Sequence, residues 1–226
     1  MHSSELAGLP ELDFTVERAE ALAFAAQPTV VLKLGITARG GVAVRSISLA
    51  VQVRIAATRR AYAPAEQERL LDIFGEPARW GQTLKSLLWT MTSVQVPGFR
   101  GQTLVDLAIP CTYDFEVVSA RYFDALQDGH VPLELLFSGT VFYVGDGGGL
   151  QAEQIGWDKE ASFSLPVQVW KEVIGLYFPN SAWLRLHKDT FDRLHRYRAR
   201  HALPTWEAAL DTLLSACEDQ EPLWTR

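Results

Sequence analysis

A glycine-rich segment, YVGDGGG at residues 143–149, comes nearest to a recognised chemical motif in this chain. Glycine loops cradle phosphates when they open a helix, because the backbone N–H groups and the helix dipole then face the anion. The residues that follow, LQAEQIGW, have no helical period, and no Lys-Ser or Lys-Thr pair succeeds the glycines. Asp-Gly between two apolar stretches is typical of a hairpin turn that needs positive φ angles. The segment therefore predicts a turn between strands and not a nucleotide site.

Histidine, aspartate and cysteine could support a metal site or a nucleophile, but their spacing argues against both. His187, His195 and His201 lie eight and six residues apart, whereas ligands on one helix face need a spacing of three or four. Asp192 and His195 have that spacing, which equally suits an ordinary ion pair on a helix surface. Cys111 lies in an apolar setting, where a lone cysteine is usually inert. An enzyme that uses Cys111 or the Asp192–His195 pair is kept as an alternative, and no catalytic, metal-binding or cofactor-binding residue is predicted.

A basic cluster, RLHRYRARH at residues 193–201, stands out in an otherwise acidic chain. Cations near the C-terminus of a helix offset its dipole, which is one interpretation. The other is a docking face for an acidic partner or for the chain's own tail, CEDQE. The chain also has seven tryptophans, a residue type that often anchors binding surfaces. The predicted partner-binding residues are Trp183, Arg193, Arg196, Arg200 and Trp224.

Composition and charge limit the classes of function. The chain has 226 residues, of which 48% are hydrophobic and 21% are charged, and these values are ordinary for a globular protein. Its net charge of −6 argues against nucleic-acid binding, which usually needs a basic surface. The N-terminus lacks the features of a signal peptide, and no apolar run approaches the ~20 residues that span a membrane. Two isolated cysteines form no disulfide framework, so we expect a reducing, cytoplasmic location.

Alternating apolar and polar side chains predict that much of the chain is β-strand. Residues 28–37 (PTVVLKLGIT) and 44–55 (VRSISLAVQVRI) alternate on either side of the turn signal RGG, which predicts a β-hairpin. Further strands are predicted at residues 12–22, 92–99, 103–109, 113–123, 131–144 and 150–165. About seven or eight strands with turns between them favour an antiparallel β-sandwich.

Two regions have a helical period instead. Residues 64–89 contain PAEQERLLDIF and PARWGQTLKSLLW, which predict two short helices inserted between strands. From Pro166 onward the apolar residues recur at helical spacing. The predicted fold is α+β, with a β-sandwich over residues 12–165, a helical insertion at 64–89, and a helical subdomain over 166–218 packed on the sandwich. Residues 1–11 and 219–226 are predicted to be tails, and an exposed sheet edge is consistent with a homodimer.

Several longer segments have a distinctive combined sequence: RRAY, FGEPARWGQTLKSLLWT, PCTYDFEVVSARYF, FSGTVFY and AWLRLHKDTFDRL. Together they resemble a family of uncharacterised bacterial proteins, mostly actinobacterial, that is known only by a number. The resemblance spans about residues 12–215. It implies an accessory role near NiFe-hydrogenases, since genes of this family lie beside hydrogenase genes, and it implies no catalytic or ligand-binding residues.

A second resemblance concerns residues 165–186, LPVQVWKEVIGLYFPNSAWLRL, which follow a series of alternating strands. This arrangement is similar in outline to the SecB-type export chaperones. We predict a non-enzymatic accessory or assembly protein that binds a protein partner, either a hydrogenase subunit or a maturation factor. The alternatives are a module that binds a small apolar ligand, between the sheets or under the C-terminal helices, and a SecB-like holdase.

Overall fold

The computed structural model describes residues 10–112, 114, 117–145, 147–179 and 185–218. The chain divides into two compact units, residues 1–183 and 184–226. The described strands are β1 (Glu11–Ala21), β2 (Thr29–Arg39), β3 (Ala43–Ile55), β4 (Leu87–Arg100), β5 (Gln102–Pro110), β6 (His130–Val144), β7 (Leu150–Gln154) and β8 (Glu160–Pro166). The described α-helices are α1 (Pro64–Arg69), α2 (Leu71–Phe74), α3 (Trp80–Thr83), α4 (Val118–Ala125), α5 (Val167–Tyr177), α6 (Lys188–Arg200) and α7 (Trp206–Glu218).

All the described strand pairs are antiparallel, and they form two sheets. The first sheet has the order β1-β2-β5, and the second has the order β4-β3-β6-β7, with β8 also beside β6. Strands and helices are both abundant in the described part of the chain, so the α+β class predicted from the sequence is confirmed.

The glycine turn after β2 does not make the hairpin that the sequence predicted. Both segments are strands, but β2 pairs with β1 and β5, whereas β3 pairs with β4 and β6. Gly40 and Gly41 have φ angles of 87° and 71°, so the tight turn is present, and the chain uses it to pass from one sheet to the other. Alternation specifies which side of each strand is buried, and it does not specify the neighbour with which the strand pairs.

Residues 113–123 were predicted to be a strand, and this prediction is wrong where the structure describes them. Val118–Ala125 form α4, whose side chains Ser119, Ala120, Tyr122 and Phe123 are buried at helical spacing. The predicted alternation depended on Phe115 and Val117. Phe115 lies outside the described residues, and Val117 precedes the helix with 38% of its surface exposed. Burial of the Tyr122 and Phe123 rings therefore favours a helix in this segment over the predicted strand.

The helical insertion is present but shorter than predicted. It contains α1, α2 and α3 and ends at Thr83, and Leu87 already belongs to β4. Leu87, Leu88 and Trp89, which the sequence placed on a helix, therefore lie on a strand. The ring of Trp89 packs on that of Phe123, with ring centroids 4.8 Å apart, so burial against α4 favours the extended conformation here.

One buried apolar cluster includes side chains from both sheets together with α4 and α5. Phe14 of the first sheet stacks on Phe137 of the second at 4.2 Å between centroids, and Phe123 stacks on Trp170 at 4.5 Å. Trp170 lies on α5, so this helix is part of the first unit, whereas the sequence grouped it with the later helices. That the helices of residues 166–218 all pack on the strands stays a prediction.

Strand β6 changes its partner midway along its length. Its residues 130–136 pair with β8, and residues 140–144 pair with β7. Gly139 lies between the two segments with φ 137°, and a Cβ atom at this position would lie only 2.0 Å from the carbonyl oxygen of Ser48. Glycine thus allows β6 to approach β3 where the partner strand changes, because any side chain would overlap the backbone of β3.

Candidate binding surfaces

The glycine-rich segment is a hairpin turn, as predicted. It joins β6 to β7, with Val144 opposite Leu150, and the N–H of Gly145 donates to the carbonyl of Gly149 at 3.0 Å. Gly148 has a φ angle of 78°, which glycine adopts without strain. Asp146 lies outside the described residues. Because a strand follows the turn and not a helix, no helix N-terminus is available here to bind a phosphate.

Cys111 is buried and is held in its protonated form. Its thiol donates to the carbonyl of Ile109 at 3.4 Å, and only 6% of the residue surface is exposed. Burial away from water raises the pKa of this thiol to about 12, because the thiolate would lose its hydration. The nucleophilic form is therefore scarce at neutral pH, and the position does not suit a catalytic cysteine.

Asp192 and His195, the other candidate pair for catalysis, have separate contacts. The Asp192 carboxylate forms an ion pair with Lys188 one turn earlier. The His195 ring packs beside those of Phe191 and Trp206, at 6.3 and 5.9 Å between centroids. Among the described residues, no group of three or more His, Cys, Asp or Glu side chains could hold a metal ion.

Three of the predicted partner-binding residues share one face of α6. Arg193, Arg196 and Arg200 are spaced by three and four residues, and all are exposed. Arg198 differs, because its guanidinium lies over the Trp206 ring at 4.0 Å. Neither Arg193 nor Arg200 forms an ion pair within the part of the chain that is described, and Arg196 donates to the backbone carbonyl of Asp192 at 3.3 Å. Trp183 and Trp224 lie outside the described residues.

The sequence analysis missed a buried polar network that connects the helical insertion to the start of β6. Arg60 donates to Glu66 at 2.7 Å and to the carbonyls of Asp128 and His130, both at 2.9 Å. The side chains of Arg60 and Glu66 are only 9% and 3% exposed. Glu66 also accepts from the N–H of Gln127 at 2.8 Å. The sequence shows acidic residues in the first turn after Pro64. Burial of the Glu66 carboxylate, however, depends on the loop at residues 127–130, which the sequence does not place beside it.

Two tyrosines extend this network into the core. The hydroxyl of Tyr62 lies 2.8 Å from that of Tyr122, and it also donates to the carbonyl of Ala57 at 2.8 Å. Burial raises the pKa of both phenols, so both are neutral hydrogen-bonding groups. Every hydrogen-bond partner that the structure describes for this network belongs to the protein itself, so the network serves to hold the insertion in place.

The outer face of the second sheet carries a shallow depression that sequence reasoning also missed. Its volume is about 470 Å³. Its side chains come from three neighbouring strands and the β7–β8 connection, and they include Ala50, Gln52, Met91, Ser93, Ser138 and Trp157. Trp157 is 95% exposed. Strands that are distant in sequence form this surface, and the order β4-β3-β6 that brings them together cannot be read from any one segment.

Comparison with known proteins decides the family. The sequence profile of DUF6084, a family of unknown function, matches residues 9–222. The chain belongs to DUF6084. No curated protein matches this DUF6084 member. The described residues include no helix that is both long enough and apolar enough to span a membrane.

Solved structures resemble the DUF6084 chain only weakly. The CARDB domain of the PF1109 protein from Pyrococcus furiosus, solved with di-metal ions, is 10% identical over 70% of this chain and 92% of its own, with a TM-score of 0.27. A β-glucosidase from Kluyveromyces marxianus is 11% identical over 70% of this chain and 15% of its own, with a TM-score of 0.24. β-Glucosidase 3B from Thermotoga neapolitana is 11% identical over 69% of this chain and 17% of its own, with a TM-score of 0.25. Similarity this weak carries no information about function.

Proposed function

We propose that this protein is a non-enzymatic accessory protein that binds a protein partner through the arginine face of α6. The observation that carries the proposal is the exposure of Arg193, Arg196 and Arg200 on one face of a helix, in a chain with a net charge of −6. An acidic surface opposite these guanidinium groups would be attracted at long range and held by charge-assisted hydrogen bonds. The expected partner is therefore acidic where it contacts α6.

The contacts of the candidate catalytic groups support a role without chemistry. Cys111 is buried with its thiol protonated, and Asp192 is paired with Lys188. Among the contacts that the structure describes, neither residue has a partner that would activate it as a nucleophile or a base. We propose further that the two sheets pack face to face as a sandwich, for which the stacking of Phe14 on Phe137 is the support.

The identity of the partner is proposed because the sequence segments RRAY, FSGTVFY and the others given above resemble a bacterial family associated with NiFe-hydrogenases. A hydrogenase subunit or a hydrogenase maturation factor is the expected partner, and the cytoplasm is the expected location. The arginine face favours this function over a SecB-like holdase, because a holdase captures unfolded chains through apolar surface. A small apolar ligand between the sheets or under the C-terminal helices is the other alternative, and exposed guanidinium groups do not favour an apolar ligand.

The test is charge reversal of the arginine face. The variant Arg193→Glu, Arg196→Glu, Arg200→Glu and the wild type are used to capture proteins from extracts of the native cell, at low and at high salt. We expect the wild type to capture a hydrogenase subunit or maturation factor, less of it at high salt, and the variant to capture none. Mass spectrometry identifies the captured proteins, and circular dichroism checks that α6 is still helical.

A matched control reverses three exposed arginines of the first unit, Arg45, Arg79 and Arg100. It changes the net charge by the same amount, so a general effect of charge would reduce capture by both variants equally. Equal capture by the wild type and the α6 variant would refute the arginine face as the docking surface. Capture of only proteins unrelated to hydrogenases would refute the proposed partner.

A further inference from the structure

On the outer face of the second sheet, three consecutive cross-strand rows of β4, β3 and β6 contain no charged residue. Their residues point away from the core, because Leu49, Val51 and Val53, which alternate with them on β3, are buried. Strand register places these residues in three cross-strand rows: Gln95–Ser48–Thr140, Ser93–Ala50–Ser138 and Met91–Gln52–Leu136. The three rows hold nine residues. Because 21% of the chain is charged and charged residues favour the surface, nine solvent-facing positions ordinarily include several charges. Charge begins just outside these rows, with Arg54 and Glu134 in the next row and Glu160 opposite Leu136.

The middle row forms the floor of the depression because its side chains are small. Ser93, Ala50 and Ser138 are all exposed, and the larger side chains of the adjoining row, those of Met91, Gln52 and Leu136, stand beside them. The floor extends across three strands, a distance of about 10 Å between the outer two. The volume of about 470 Å³ lies within the range of small-molecule sites.

Trp157 stands at one end of this floor. The β7–β8 connection that carries it is attached to β6 on both sides of Ser138. The N–H of Ile155 donates to the carbonyl of Gly139 at 2.9 Å, and the N–H of Phe137 donates to the carbonyl of Lys159 at 2.9 Å. The indole is thereby placed beside the depression, yet 95% of the residue surface stays exposed. It contributes little to the stability of the chain itself and offers an open aromatic surface to a ligand.

We propose that this depression binds a neutral carbohydrate, with a sugar ring against the indole of Trp157 and sugar hydroxyls hydrogen-bonded to Gln52, Ser93 and Ser138. Serine hydroxyls and the glutamine amide each offer both donor and acceptor atoms, as sugar hydroxyls do. The C–H face of a sugar ring is apolar and matches an aromatic surface. This site goes beyond the proposed function, since it lies in the first unit and does not involve the arginines of α6.

Other classes of ligand fit the lining less well. An anion or a cation finds no opposite charge among the three rows. A purely apolar ligand would cover the hydroxyls and the amide and leave them unpaired, which costs free energy. A neutral molecule with many hydroxyls and one apolar face satisfies all of these groups at the same time.

The test uses the full chain and a panel of neutral disaccharides: cellobiose, maltose, lactose and trehalose. Saturation-transfer NMR detects contact between protein and sugar, and the tryptophan fluorescence is titrated in parallel. We expect at least one of these sugars to bind saturably, and Trp157→Ala to weaken that binding about ten-fold or more. Leu150→Ala is the matched control, because Leu150 is a 69% exposed apolar residue of the same sheet outside the depression. It should leave the binding unchanged.

A second variant tests the floor of the site. Ser138→Asp places a carboxylate beside the indole, and we expect it to weaken sugar binding while the circular dichroism spectrum is unchanged. The proposal is overturned if none of the sugars binds saturably, or if Trp157→Ala binds as tightly as the wild type. It is also overturned if light scattering shows a dimer that Ser138→Asp separates into monomers, because a second copy would then occupy the face. The charge-reversed α6 variant should bind the sugar as tightly as the wild type does. Failure of the sugar site and failure of the proposed partner-binding face can therefore be told apart.

Discussion

Replacing Glu66 with alanine would remove the carboxylate at the centre of the buried network. That carboxylate accepts hydrogen bonds from Arg60 and from the N–H groups of Ala63 and Gln127. After the substitution, the guanidinium of Arg60 stays in a site where its side chain is only 9% exposed, without its counter-charge. The Nε atom of Arg60 already lacks a partner within the described chain. The guanidinium would keep its hydrogen bonds to the carbonyls of Asp128 and His130 but would lose its counter-charge in a largely buried site.

The expected loss of stability is large for a single substitution. Removing one partner of a buried ion pair typically costs about 3–5 kcal/mol, because the remaining charge is uncompensated. For a chain of this length each kcal/mol corresponds to roughly 2–4 °C in the melting temperature, so the expected decrease is roughly 6–20 °C. Glu66→Gln should also be strongly destabilising, because it keeps the shape of the side chain but removes the charge.

Urea denaturation followed by tryptophan fluorescence and by circular dichroism measures this loss. Glu68→Ala is the matched control, since Glu68 is an exposed glutamate on the same helix, and its substitution should change the free energy of unfolding by no more than about 0.5 kcal/mol. A loss of less than about 1 kcal/mol for Glu66→Ala, comparable with that of a surface residue, would refute the conclusion that this pair holds the insertion in place.

Two further residues, Gly139 and Cys111, give testable predictions. Gly139→Ala should destabilise the protein by about 1–3 kcal/mol or more, because alanine would have to adopt φ 137° and would overlap the Ser48 carbonyl. Gly147→Ala is the control, because a Cβ atom at that position meets open space. Equal unfolding midpoints for the two variants would contradict the role given to Gly139. Cys111 should react with a thiol reagent at neutral pH only after unfolding. Since burial raises the pKa of this thiol from 9.0 to about 12, the folded state keeps the proton that the unfolded state loses, and stability should fall as the pH rises through this range. Cys111→Ala should remove that part of the alkaline loss, and an unchanged pH dependence would show that Cys111 is not its source.

The sequence by itself determined most local features of this protein. Alternation located β1, β2, β3, β5 and β6, since each of these strands buries one face more completely than the other along most of its length. The Asp-Gly turn at 143–149 was also evident, because its conformation depends on residues within the turn. The arginine spacing on α6 was visible for the same reason, since a helix places residues three and four apart on one face.

Tertiary structure alone decided which strands are neighbours and therefore what lies on their surfaces. The chain passes from one sheet to the other at Gly40 and Gly41, and β3 lies between β4 and β6. This strand order creates the uncharged rows beside Trp157. The pair of Arg60 and Glu66 is close in sequence, yet its burial depends on a loop more than sixty residues away. Pairing of strands and burial of charge both arise from contacts between distant segments, and the periodicity of one segment carries no information about them.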